Sequence, residues 1–155
     1  MFNLGQIKRA HQHFVAELAR EVDAVVDAQK LTLVAQRAIT DNRDIVARTG
    51  NLTRRTKAKV IRTGNGRVIK IQNTAKYAWA QDQGSGLYGP KRRRYLIVGN
   101  PTLTFVWKGV EMHRRWVLHP GVKPTRFLYN ATNTTGRTLR NWLVTAMSRA
   151  AMKFR

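Results

Sequence analysis

The sequence predicts an α+β fold: a long N-terminal helix, a small antiparallel β-sheet, and a C-terminal amphipathic helix packed on that sheet. Three observations predict it. Apolar residues recur at helical spacing towards both ends of the 155-residue chain. The middle changes to a period of two, and Gly-, Asn- and Pro-containing turns punctuate it. At 43% hydrophobic, the chain can build one modest core, so residues 1–155 read as a single domain. Within it, residues 1–40 are the first helix, 52–118 a β-rich core with a basic loop at 84–94, and 124–153 the last helix.

The first helix rests on Phe14, Leu18, Val22, Val25, Val26 and Leu33, with Glu17, Glu21, Asp23 and Asp27 largely on other faces. The pattern reaches back to Ile7 and forward towards Ile39. At about 1.5 Å per residue such a helix is roughly 50 Å long, more than so small a domain can cover. Part of its apolar stripe is therefore expected to meet another subunit; a break near Gln29–Thr32 is the competing reading. The turn formers of "TDNRDIVARTGNL" (40–52) end the helix.

Next, "RRTKAKVIRT" and "GRVIKIQN" flank Gly64-Asn65-Gly66, a short-range hairpin signal. Lys57, Lys59, Arg62, Arg67 and Lys70 alternate with Val60, Ile61, Val68, Ile69 and Ile71, which implies one wet, basic face. "RYLIV" (94–98) and "TLTFVW" (102–107) read as two more strands separated by Gly99-Asn100-Pro101, and "HRRWVL" (113–118) as a weaker one. Between the two pairs, residues 77–94 read as a long loop with a turn of helix at its start; loops of that length are commonly functional.

The last helix carries Leu128, Ala131, Thr135, Leu139, Trp142, Leu143, Ala146, Met147, Ala150 and Phe154 at steps of three and four. Pro120-Gly121 forces a turn ahead of it. Pro124 suits its first turn, where a missing N–H costs nothing, and Phe127 and Leu128 are then set to dock under the sheet. Gly136 weakens its middle by about 1 kcal/mol relative to alanine, which leaves a kink or restart there open.

Charge narrows the functional classes. The net charge is +21. Residues 1–44 hold six acids and six Lys/Arg, whereas residues 45–155 hold 23 Lys/Arg against only Asp82 and Glu111. A segment so basic needs a polyanion or an acidic partner surface. Cysteine is absent, which excludes disulfides, Cys-ligated zinc and thiol catalysis and fits assembly in a reducing cytoplasm. No apolar run approaches the ~18 residues of a membrane span, and "MFNLGQIKRAHQHF" lacks the apolar stretch of a signal peptide.

No catalytic, cofactor or metal site emerges. Gly84-Ser85-Gly86-Leu87-Tyr88-Gly89 matches G-x-G-x-x-G, but Pro90 and four cations follow where a dinucleotide fingerprint needs a helix. His11 and His13 point to different faces of a helix, and His113 and His119 have only Glu111 near them in sequence. Asp82 and Glu111 form no recognisable hydrolytic pair. The sequons at Asn51 and Asn130 carry no weight without a secretory signal. The strongest local candidate is Lys91-Arg92-Arg93-Arg94, suited to phosphate or carboxylate, with Tyr88 or Tyr95 available to stack on a base.

Several short segments, taken in order, resemble the tailed-phage neck and tail-component family typified by the gene-10 product of phage HK97. They are Thr49, Gly50 and Leu52 after the first helix; Tyr77, Ala78, Gly84 and Ser85 in the middle; and Pro124, Arg126, Phe127 and Leu128 opening the last helix. Asp82 keeps the register of the family's acid to the glycine, while Gln83 stands where the family has an aromatic. The resemblance implies a structural, non-enzymatic virion protein at the neck or tail completion point, assembled in the host cytoplasm. It further implies a homo-oligomeric ring, a hexamer being favoured, with head connector or stopper and tail tube proteins as neighbours. Contact with genomic DNA in the channel would be independent of sequence. A non-enzymatic basic nucleic-acid-binding protein is the alternative, and a small nuclease the weakest reading because no metal-binding cluster supports it.

Overall fold

The computed structural model describes residues 3–42, 45, 50–64 and 66–153. Thr49, Asn65 and Phe154, which the sequence reading used, lie outside the described residues. The fold is α+β. The chain forms two compact units, residues 1–75 with 128–155 and residues 76–127.

In the first unit the N-terminal helix comes in two pieces. Helix α1 spans Leu4–Val25 and opens on a capping box between Asn3 and Gln6. Helix α2 spans Ala28–Thr40. The break falls at Val26–Asp27, ahead of the Gln29–Thr32 window. Its cause is Asp27, whose Oδ1 accepts from the backbone N–H groups of Gln29 and Lys30 at 2.6 and 2.9 Å. A short side chain that satisfies two orphan donors starts a new helix better than it continues an old one. The backbone N–H of Lys30, then that of Gln29, holds the Asp27 carboxyl below its ordinary range against the opposing effect of desolvation. The break also resets the helical phase. Leu31, Ala35 and Ile39 are buried, while Leu33, expected on the stripe, is 66% exposed.

A short helix α3, Asn51–Arg55, follows Gly50, whose φ of 62° is left-handed. Strands β1 (Thr56–Thr63) and β2 (Gly66–Asn73) form the expected hairpin, with Thr63 opposite Gly66. The register puts Thr56, Ala58, Val60 and Arg62 on one face with Asn73, Ile71, Ile69 and Arg67. The wet basic face is thus Lys57, Lys59 and Lys70 alone. Arg62 and Arg67 belong to the other face, and Arg67 ion-pairs with Asp23 of α1. Helix α2 covers the β1 edge: Gln36 Nε2 donates to the Thr56 carbonyl at 3.1 Å, and Thr32 Oγ1 accepts from the Ala58 N–H at 2.8 Å.

Helix α5, Phe127–Met152, completes this unit and packs against α2 and β2. It runs unbroken through Gly136. Its buried face beyond Phe127 is built of small residues, Ala131, Thr135, Ala146 and Ala150, and Met147 of the expected stripe is 56% exposed. Just past its end, Lys153 pairs with Glu17 and, at 3.1 Å, with Glu21. The Lys153 hydrogen bond is the largest influence on Glu17, whose carboxyl is held below its ordinary value; hydrogen bonds to Glu17 and then Glu21 raise Lys153.

In the second unit, helix α4 (Ala78–Gln83) and a single 3-10 turn (Gly86–Tyr88) precede strands β3 (Tyr95–Trp107) and β4 (Val110–His119). Here the structure corrects the sequence reading twice. "RYLIV" and "TLTFVW" are one strand, because Gly99-Asn100-Pro101 is a bulge opposite β4, not a turn. A proline without an N–H is tolerated at such a bulge. The turn is Lys108-Gly109, both at positive φ (49° and 81°), as a two-residue hairpin connection requires. "HRRWVL" is part of β4, paired along β3. Among the described residues the β content therefore forms two two-stranded sheets.

Candidate functional site

The segment His119–Phe127 is held by backbone, not by proline geometry. Ser85 N–H donates to the Val122 carbonyl at 2.9 Å and Leu87 N–H to the Pro120 carbonyl at 2.7 Å. Val122 N–H donates to Ser85 Oγ at 3.1 Å. Gly86 and Gly121 have positive φ, and a Cβ on either would overlap the backbone of the other segment, so this clasp needs glycine at both positions. Further along, the Gln81 carbonyl accepts from both the N–H and Oγ1 of Thr125, at 3.0 and 2.9 Å, and the Asp82 carbonyl accepts from Arg126 N–H at 3.0 Å. Pro124 is exposed and lies three residues before the first helical residue, so it does not occupy the first turn of α5. What fixes the helix start is the end of α4, through its free carbonyls, with Arg126 at φ 50°.

The clasp unites the middle and late segments of the sequence reading. Ala78, Asp82, Gly84, Thr125 and Phe127 are all buried there, Phe127 completely. Tyr77 is 45% exposed and Leu128 is half-buried. Gly50 and Leu52 lie in the first unit, where the buried Leu52 anchors α3. The G-x-G-x-x-G stretch follows α4 and contains the 3-10 turn, so it lacks the strand and helix of a dinucleotide site.

Lys91, Arg92, Arg93 and Arg94 are all exposed and carry no ion pair among the described residues. Neither neighbouring tyrosine stands alone: Lys123 Nζ lies 5.8 Å from the Tyr88 ring centre, and Tyr95 meets His119 with ring centres 5.3 Å apart. His113 accepts or shares a hydrogen bond with Thr104 at 3.1 Å and lies 3.7 Å from Glu111. Among the described residues no three His, Asp or Glu side chains gather as a metal-binding group. Nor is any described helix long and apolar enough to cross a membrane.

The larger feature was missed by sequence reasoning. The β3–β4 register sets Leu96, Val98, Leu103, Phe105 and Trp107 on one face with Leu118, Trp116, Arg114, Met112 and Val110. Nine of these ten are apolar. Val98 is 67% exposed, Trp107 63%, Val110 61% and Trp116 60%. A depression of ≈ 960 Å³ runs along this arm. The opposite face is mixed: Tyr95, Ile97, Val106 and Val117 share it with Thr104, Glu111, His113, Arg115 and His119, and Val106 is 70% exposed. The alternation was present in the sequence; placing the turn at Gly-Asn-Pro in place of Lys108-Gly109 hid it.

Comparison with family models, curated proteins and solved structures finds no match to this chain.

Proposed function

We propose that this protein is a structural virion component of a tailed phage, a ring-forming neck or tail-completion subunit that joins head connector to tail tube. On this reading it acts by contact and carries out no catalysis. The order of the Thr-Gly-x-Leu, Tyr-Ala and Pro-x-Arg-Phe-Leu segments suggests it. The observation that carries it is uncovered apolar surface on a highly charged chain. Residues 3–13 are all exposed, with Leu4 at 85% and Ile7 at 56%, although they continue the stripe that Phe14, Leu18 and Val22 half-bury further along α1. Apolar surface left open in this way is what subunits of an assembly present to one another. Purified protein should form closed rings visible by negative-stain electron microscopy and sediment well above the 17.7 kDa chain. A monomer at every concentration, with Leu4→Ser and Ile7→Ser changing nothing, contradicts the reading.

The alternative, a basic nucleic-acid-binding protein, draws on the exposed Lys57, Lys59 and Lys70 face and the Lys91–Arg94 run. If phosphates are the target, log affinity for DNA should fall with log salt by about 0.9 per phosphate contacted. Replacing Lys91–Arg94 by Ser should then cut that slope by roughly three to four and weaken all sequences alike. An unchanged slope removes this run from DNA binding.

A further inference from the structure

We propose that the apolar face of the β3–β4 arm is a docking site for an amphipathic helix of another protein, one whose apolar stripe is flanked by carboxylates. The inference stands whether or not the chain is a virion component. It begins with size. Ten residues of strand extend about 33 Å and two strands are about 10 Å wide, the footprint of one helix of about 22 residues. A helix laid along the strip uses its whole length and buries one stripe.

Charge then selects the partner. Cations frame the strip: Lys91–Arg94 lead into its base at Tyr95, Lys108 stands at its tip, and Arg114 lies within the face. Residues 76–127 hold ten Lys/Arg and two acids, Asp82 and Glu111. The occupant must bring carboxylates, and a second copy of this chain has few to give. Among the described residues, Glu17 and Glu21 are held by Lys153, Asp23 by Arg67, and Asp41 lies 3.8 Å from Arg37. Asp27 caps α2, Asp82 is 5% exposed, and Glu111 faces His113. The exposed start of α1 offers Lys8 and Arg9, which this arm would repel. Charge complementarity thus points away from self-docking and towards a different, acidic chain. Six of the nine apolar residues of the face are not aromatic (Leu96, Val98, Leu103, Val110, Met112 and Leu118), which favours an apolar stripe; Phe105, Trp107 and Trp116 are where a base would stack instead, and the test separates the two.

The test uses the full-length protein and three labelled synthetic peptides of about 22 residues. One carries Leu at i, i+3, i+4 and i+7 with Glu on the flanks. The second has the same composition scrambled, and the third has Lys for Glu. Fluorescence anisotropy should show the acidic amphipathic peptide binding at least ten-fold tighter than the scrambled one, and the Lys peptide not binding. Val98→Ser with Trp116→Ser should remove that preference while leaving the scrambled peptide unaffected. Trp107→Ser with Val110→Ser, at the tip, is the second variant, and each double variant must melt as the parent does. Equal affinity for the scrambled peptide overturns the proposal, since charge alone is then responsible. So does a parent that prefers phosphatidylserine vesicles or a single-stranded oligonucleotide, with that preference lost in the variants. Self-association seen by sedimentation and abolished by the same substitutions would assign the face to a second copy and overturn it equally.

Discussion

Among the described residues two antiparallel hairpins stand in opposite circumstances. The β1–β2 hairpin is covered. Thr56 and Ala58 on its inner face are buried, Thr32 and Gln36 from α2 bond to its edge, and Asn73 Nδ2 donates to the Leu52 carbonyl and Thr56 Oγ1 at 2.6 and 2.7 Å. The β3–β4 hairpin has larger side chains on its apolar face, and most of them are more than half exposed. Small residues go where a helix of the same chain must approach closely; large apolar ones sit where none does. An isolated two-stranded sheet is marginal in water, so the arm's length is hard to explain by its own stability. The difference teaches that apolar surface has two uses in this chain: alanine-rich contact that closes the first unit, and Leu/Val/Trp surface that stays open.

Substitutions on the two kinds of surface should separate cleanly. The largest effect is expected at Phe127, which is completely buried. Phe127→Ala should cost about 3–5 kcal/mol, a large part of the roughly 5–15 kcal/mol that holds a domain together. Soluble yield should collapse, and a melt within a few degrees of the parent would mean the ring is not a core anchor. Asn73→Ala removes a side chain that donates twice and also accepts from Ala75 N–H at 2.9 Å. It should cost about 1–3 kcal/mol by denaturant titration, whereas Thr104→Ala, at an exposed position of the arm, should cost little.

Gly136→Ala should stabilise by about 1 kcal/mol, because the helix is continuous there and nothing lies within 4 Å of the added carbon. A loss in the same melt would show that the open space around Gly136 is occupied in solution. Trp116→Ser, on the open face, should change the melt by no more than about 0.5 kcal/mol. A cost comparable to Phe127→Ala would erase the distinction between the two surfaces. The smallest effect concerns the Lys153 ties to Glu17 and Glu21. The Glu17 carboxyl is lowered from 4.5, so its contribution is present above the unfolded value and fades as pH falls through the folded one. Lys153 is raised from 10.5, so its contribution is present below that value and fades only as pH rises through the higher folded value. Lys153→Met should therefore lower stability slightly at neutral pH and leave it unchanged in acid below the folded Glu17 value, so that denaturant titrations across pH show a slightly flatter acid limb.

The α+β class and the first hairpin were legible because period and turn chemistry agreed: Gly64-Asn65-Gly66 sits between two β-branched runs. The break in the first helix was legible in kind but misplaced, since an Asp27 cap outweighs a continuing apolar stripe. The arm was hidden because Asn100-Pro101 is a strong turn signal and Lys108-Gly109 a weaker one; cross-strand pairing, which no local window contains, decided between them. The role of the late segment was half legible. Gly121 was read as part of a turn; the chain there is irregular at φ 103°, and its need for glycine comes from Ser85 and Gly86, far earlier in the chain. Lys91–Arg94 were found by composition alone, whereas the apolar face beside them needed the register.

The account rests on the arm's face being open in the free protein, and hydroxyl-radical footprinting measures that directly. Trp107 and Trp116 should oxidise at rates near those of the same residues in the unfolded chain, while Phe127 and Leu31 should be protected by an order of magnitude or more. Protection of Trp107 and Trp116 comparable to that of Phe127 would contradict the account, because the face would then already be covered.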